Sequence, residues 1–176
     1  AHATLEQMIL ALPFVERIDT LEAMLVRDVP ERVGFRCAAA YYPAEGGFAL
    51  RASAGCDALP PLLDADDPLA LYPRSSRSLV SLRDVPASRV SLPANEAAPA
   101  FALSIAGGNR IYAILLYGEH GSGEAMDTEE ARLLVRLAHA AANAYEHLLL
   151  LERDKEIAAL RRRLDLQTRS QTIAAD

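Results

Sequence analysis

Along the chain the apolar positions keep helical spacing at first, change to strand-like runs from Phe35, lose regularity in the middle, and return to helical spacing after Asp127. Leu5, Met8, Ile9 and Leu12 form a first stripe that Pro13 interrupts. Phe14, Ile18, Leu21, Leu25 and Val29 form a second, with Asp19 and Glu22 near its start and Pro30 as its stop. The spacing predicts a helical N-terminal region with a kink or break.

From Phe35 to Tyr42 small and aromatic residues replace the stripe, a turn runs from Pro43 to Gly47, and strand character resumes at Phe48. Alanine is a poor strand former, so this hairpin rests on the flanking aromatics and the turn chemistry. A second hairpin is marked by residues 100–105 and 111–117, joined by Gly107-Gly108-Asn109, which supply positive-φ positions for a tight turn. Its second strand, Ile111-Tyr112-Ala113-Ile114-Leu115-Leu116-Tyr117, is apolar on both faces and is expected at the centre of a sheet covered on each side. Residues 37–42, 48–52, 100–105 and 111–117 are thus expected to form one antiparallel sheet.

Between the hairpins, Pro60, Pro61, Pro68, Pro73, Pro86 and Pro93 exclude long regular elements. Short helical turns are expected at residues 60–63 and 68–72, and a short strand at 78–82. A long irregular stretch inside a compact domain usually serves binding. The final helix is expected to start near Asp127, with Thr128, Glu129 and Glu130 in its first turn and Leu134, Leu137, Ala138, Ala141, Tyr145 and Leu148 on its buried stripe. Beyond it, Leu150, Ile157 and Leu164 fall at heptad spacing with Leu160 between them, although Arg153 occupies a matching earlier position. Such a helix leaves its domain and pairs with a partner.

With 176 residues, 51% of them hydrophobic, the chain has enough apolar surface for one domain with extensions. A net charge of −6 repels nucleic acid and anionic membrane surfaces. The basic residues of the tail, Arg161-Arg162-Arg163 included, are interspersed with acidic ones as on a solvated helix. No run is apolar and long enough to span a bilayer and no signal peptide opens the chain, so a cytoplasmic location is expected, the cytosolic part of a membrane-anchored protein included. Cys37 and Cys56 have no C-x-x-C or zinc-type spacing, and no metal or cofactor is expected.

The order helix, hairpin, irregular stretch, hairpin, long helix resembles a GAF domain, most closely at the C-terminal end. There the hydrophobic strand from Ile111 to Tyr117 is followed by Met126-Asp127-Thr128-Glu129-Glu130 and by a small-residue helix through Ala138-His139-Ala140-Ala141-Ala142-Asn143-Ala144-Tyr145. The resemblance implies an α+β, PAS-related architecture: a central antiparallel sheet, N- and C-terminal helices on one face, a ligand pocket on the other, and a long coiled-coil helix. It divides the chain into a linker helix at 1–20, the domain at 21–151 and a coiled-coil extension at 152–176. It further implies a non-catalytic sensory or regulatory module of a bacterial signalling protein, a homodimer that relays its state to an output domain outside this chain. The residues that bind cyclic nucleotides or attach a bilin in other members have no counterparts around Asn109-Arg110, Cys37 or Cys56.

Arg74, Arg77, Arg83 and Arg89, mixed with Ser75, Ser76, Ser78 and Ser81 and with Tyr72 nearby, suit an anionic small molecule, and Arg77 beside Leu79-Val80 is the strongest candidate. The competing reading is a solvated loop whose arginines pair with Asp64, Asp66 and Asp67. Free-methionine-sulfoxide reductases also resemble GAF domains and use cysteine chemistry, so a reductase is the alternative function. Cys37 among alanines reads as a small buried hydrophobe, and Cys56 as the more exposed thiol. His139 and His147 lie ~80° apart around a helix, which disfavours shared metal ligation, and His120 reads as a loop residue. No phosphate loop and no nucleophile elbow occur, so an enzyme is not expected. Leu5, Met8 and Leu12 at one end and Leu150, Ile157, Leu160 and Leu164 at the other are expected to form a dimer interface, because one small sheet cannot bury them all. A ligand-free dimerisation scaffold is the remaining reading.

Overall fold

The computed structural model describes residues 1–86, 92 and 95–175. It has a six-stranded antiparallel sheet in the order β3-β2-β1-β6-β5-β4. The strands are β1 (Ala38–Ala44), β2 (Gly47–Ala54), β3 (Leu62–Asp64), β4 (Val80–Ser81), β5 (Pro99–Gly107) and β6 (Arg110–Gly118). Both expected hairpins form, and doubly apolar β6 lies at the centre between β1 and β5. Alternation divides β1 and β6 between two cores: Ala38, Ala40, Tyr42, Ala113, Leu115 and Tyr117 face one way, Ala39, Tyr41, Ile114 and Leu116 the other. Alanine is tolerated in β1 because both its faces are covered and packing replaces intrinsic preference.

Helices cover the first face. α1 (His2–Ala11) runs into a 3-10 turn at Leu12–Phe14, with Pro13 at its start, and the chain becomes extended at Val15. α1 packs on α5 (Thr128–Ala174), the long C-terminal helix. Leu5, Met8 and Leu12 are buried in this chain's own core. The expectation that a partner must cover those three residues is therefore corrected: the sheet alone is too small, but α5 supplies the missing surface.

α2 (Ile18–Ala23) continues through a π turn at Met24–Asp28 into α3 (Val29–Val33). The π turn lies directly before Pro30, which carries no N–H to continue the helical ladder. The Val29 amide reaches back to the Met24 carbonyl, and Leu25 is left with a carbonyl that Pro30 cannot satisfy. The hydroxyl of buried Tyr117 donates to it at 2.7 Å. Gly34 then ends α3 in the left-handed region, φ 95°, its amide on the Pro30 carbonyl.

On the second face lies α4 (Pro68–Ser76), capped by Asp67, whose side chain accepts from the Leu69 amide at 2.9 Å. The helical turn expected at 68–72 is this helix. Residues 60–63 were expected to be helical as well, but Leu62–Asp64 is strand β3, paired with Gly47–Ala49 of β2. The prolines forbid a long element there, yet three residues can pair on the sheet edge, and Pro61, which has no N–H to give, joins through its carbonyl, which accepts from the Leu50 amide at 2.9 Å.

Asp127 caps α5, accepting from the Glu130 amide at 2.7 Å. The helix runs for 47 residues. Its stripe from Leu133 to Leu148 is buried, whereas Leu150, Leu160 and Leu164 are 53%, 57% and 62% exposed.

Candidate functional site

α4 lays Leu69, Ala70 and Pro73 toward the sheet, and with Leu63 they close over Tyr41, Phe48, Ile114 and Leu116. Tyr41, Leu63, Ile114 and Leu116 are fully buried, and the Tyr41 hydroxyl donates to the Pro60 carbonyl at 2.8 Å. The face on which the resemblance places a ligand pocket is thus packed with the protein's own side chains.

The candidate arginines separate. Arg74 donates to the Ala65 carbonyl at 3.0 Å and lies over the Phe48 ring, binding the roof to the sheet edge. Arg83 pairs with Glu119 at 3.0 Å on the other side of the roof. Arg89 lies outside the described residues, and Tyr72 is exposed on α4. Arg77 is the C-cap of α4 in a left-handed conformation, φ 50°, unusual for a residue with a side chain. It lines an open cavity of about 330 Å³ with Ser78, Ser104 and His139, floored by Leu103, Val135 and Ala138. A neighbouring groove of about 340 Å³ adds Arg74, Ser75 and Arg110 to Arg77. Among the described residues neither is lined by a carboxylate, so both favour an anion. His139 joins Arg77 only through the packing of α5 on β5, a juxtaposition that sequence spacing does not carry.

The two cysteines, unrelated by sequence spacing, are neighbours. Ala38 pairs with Ala54, so Cys37 just before β1 and Cys56 just after β2 meet at the open end of that ladder. Both are free thiols, and their side chains lie near enough for each to shift the ionisation of the other. The Cys56 side chain beside it holds Cys37 below the ordinary thiol range although burial opposes the shift. The same contact, with burial and the charges of Cys37 and Asp57, pushes Cys56 far up.

His120, expected in a loop, is instead buried. Its ring bonds the Glu130 carboxylate at 2.8 Å and lies 4.9 Å from the Phe35 ring, fixing the end of β6 to the first turn of α5. Among the described residues no group of His, Cys, Asp or Glu is placed to hold a metal ion, and no helix is long and apolar enough to cross a membrane.

No protein-family model and no curated protein matches the chain. Solved structures do. The GAF domain of a phosphoenolpyruvate-protein phosphotransferase from Coxiella burnetii superposes with a TM-score of 0.65 at 16% identity, over 86% of this chain and 95% of that one. The fold is that of a GAF domain. The GAF domain of the potassium sensor histidine kinase KdpD from Escherichia coli matches with a TM-score of 0.55 at 19% identity, over 88% of this chain and 99% of its own. A free methionine-R-sulfoxide reductase from Neisseria meningitidis matches as well, with a TM-score of 0.63 at 13% identity, over 84% and 89% of the two chains. The GAF fold therefore accommodates both signalling modules and a reductase among the structures this chain is similar to.

Proposed function

We propose that the chain is a non-catalytic sensory or regulatory GAF module that works as a parallel homodimer and relays its state through α5 to an output domain outside it. One observation carries this reading: α5 continues unbroken beyond the domain, with Leu150, Ile157, Leu160 and Leu164 exposed at coiled-coil spacing. An isolated helix gains little from propensity alone in water, and a seam of leucines needs a second seam to bury it. A parallel two-fold pair buries them and directs both output chains the same way. The packed second face supports a dimerising role for the domain, and leaves the Arg77, Ser78, Ser104 and His139 cavity as the place for a small anionic ligand. Sedimentation of the intact chain and of a chain ending at Leu151, at about 10 μM, a concentration suited to weak coiled coils, tests the proposal. A dimer lost on truncation supports it; a monomer in both refutes it.

The reductase reading has its own favouring observation, the contact between Cys37 and Cys56. Turnover of free methionine sulfoxide that disappears in Cys56→Ser would establish it. No turnover is expected.

A further inference from the structure

We propose that Cys37 and Cys56 are an oxidisable dithiol, a site at which a hydroperoxide converts two neighbouring thiols into an intramolecular disulfide. The inference rests on thiol geometry and stands whether or not the helices dimerise.

Backbone construction brings the sulfurs together. Gly55 turns the chain leaving β2 in the left-handed region, φ 71°, and a Cβ there would lie 2.5 Å from the Arg36 carbonyl oxygen and 3.4 Å from the Cys37 Cα. Only glycine permits so close an approach, and the next residue is Cys56. On the opposite side a Cβ at Gly118 would lie 2.9 Å from the Cys37 sulfur, so that sulfur rests directly on the β6 backbone. Two glycines, one just past the end of β2 and one at the end of β6, thus shape the space in which one thiol is buried and the other is placed near it.

Accessibility divides the roles. Cys37 is 1% exposed, while Cys56 is only partly covered. The neighbouring Cys56 side chain favours the thiolate on Cys37, the buried sulfur, so the proton of the pair rests on Cys56, the accessible one. Hydrogen peroxide reaches Cys56 first. Cys56 passes its proton to the Cys37 sulfur, its own sulfur attacks one peroxide oxygen, the O–O bond breaks, the hydroxide released takes that proton back from Cys37 and leaves as water, and Cys56 becomes a sulfenic acid. The Cys37 thiolate then attacks the Cys56 sulfur, the S–O bond breaks, and the hydroxide that leaves takes a proton from solvent as a second water. Two thiols are oxidised by two electrons and one peroxide is reduced to two waters.

The position gives the disulfide a route to the output helix. The Cys37 carbonyl accepts from the Gly118 amide at 2.9 Å, and Gly121 and Gly34 are joined across the loop that leads from β6 to α5. A covalent tie between the ends of β1 and β2 fixes the strand against which that loop is anchored.

The test treats the reduced, full-length chain with hydrogen peroxide and follows free thiols, intact mass and peptide maps. The expected result is loss of both thiols, a mass lower by two hydrogens, a Cys37–Cys56 cross-linked peptide, and recovery of both thiols on reduction. In Cys37→Ser the expected product is a sulfenic acid on Cys56, trapped by dimedone, and in Cys56→Ser the buried Cys37 stays a thiol. Retention of both thiols in the unaltered chain, or disulfides only between two chains, overturns the proposal. Free methionine sulfoxide as sole oxidant is expected to leave both thiols intact; if it oxidises them, the site is the reductase's and the proposal is overturned.

Discussion

Tyr117 crosses the helix-facing core to place its hydroxyl on the Leu25 carbonyl, which Pro30 cannot serve as a π-helical donor. Removing that hydroxyl strands the Leu25 carbonyl in an apolar interior, so Tyr117→Phe is expected to destabilise the domain by about 2 kcal/mol. Urea denaturation checks it, and a change below the error of the extrapolation would contradict the assignment. Tyr145 has a comparable place: its hydroxyl meets that of Tyr42 at 2.7 Å and its ring stacks on Tyr112 at a centroid separation of 5.7 Å. The stacking survives in Tyr145→Phe and the hydrogen bond does not, so a smaller loss of about 1 kcal/mol is expected in the same measurement. Gly55→Ala is a harsher change. Both its φ of 71° and the 2.5 Å approach to the Arg36 carbonyl oppose a side chain, so it should lower stability by about 2 kcal/mol or more.

At the level of elements, the start of α5 joins three parts of the molecule. Asp127 accepts from the Glu130 amide and bonds His2 of α1 at 2.8 Å, while Glu130 itself binds His120 at the end of β6. The Glu130 amide, with His2 adding to it, holds the Asp127 carboxyl below the usual carboxylate range. A carboxyl depressed by folding stabilises fully above its ordinary pKa and loses that contribution as pH falls through the depressed value. The protection of the amides in the first turn of α5, relative to their intrinsic exchange at each pH, is therefore expected to fall only below about pH 4, with the rest of the helix unaffected. Loss of that protection already near neutral pH would point to a different anchor. The other end of α5 stands apart: among the described residues Leu160, Leu164, Leu166 and Ile173 on its last turns are all exposed.

For the whole molecule, a sheet buried on both faces and a helix that outruns it produce two regimes of stability. In the proposed dimer the amides of residues 152–174 are protected in a concentration-dependent way, while those of β1 and β6 are not affected by dilution. Hydrogen exchange at two concentrations measures both at once, and tail protection independent of concentration would count against the pairing. The primary structure determined the period of each main element, the central place of the doubly apolar β6, the Asp127 cap and the overflow of leucines past Leu148, because these depend on local spacing and side-chain type. The resemblance to GAF domains was legible at the C-terminal end, where a strand and a long helix carry strong local patterns. Tertiary structure alone decided the rest. It buried Leu5, Met8 and Leu12 under α5, packed Tyr41 and Ile114 beneath α4, engaged Arg74 and Arg83 in the scaffold, and set His139 beside Arg77. It also brought Cys56 to Cys37, through a register and a glycine turn that act on backbones far apart in the chain. Contacts of that kind depend on which strands pair and which helix covers them, and residue spacing does not encode either.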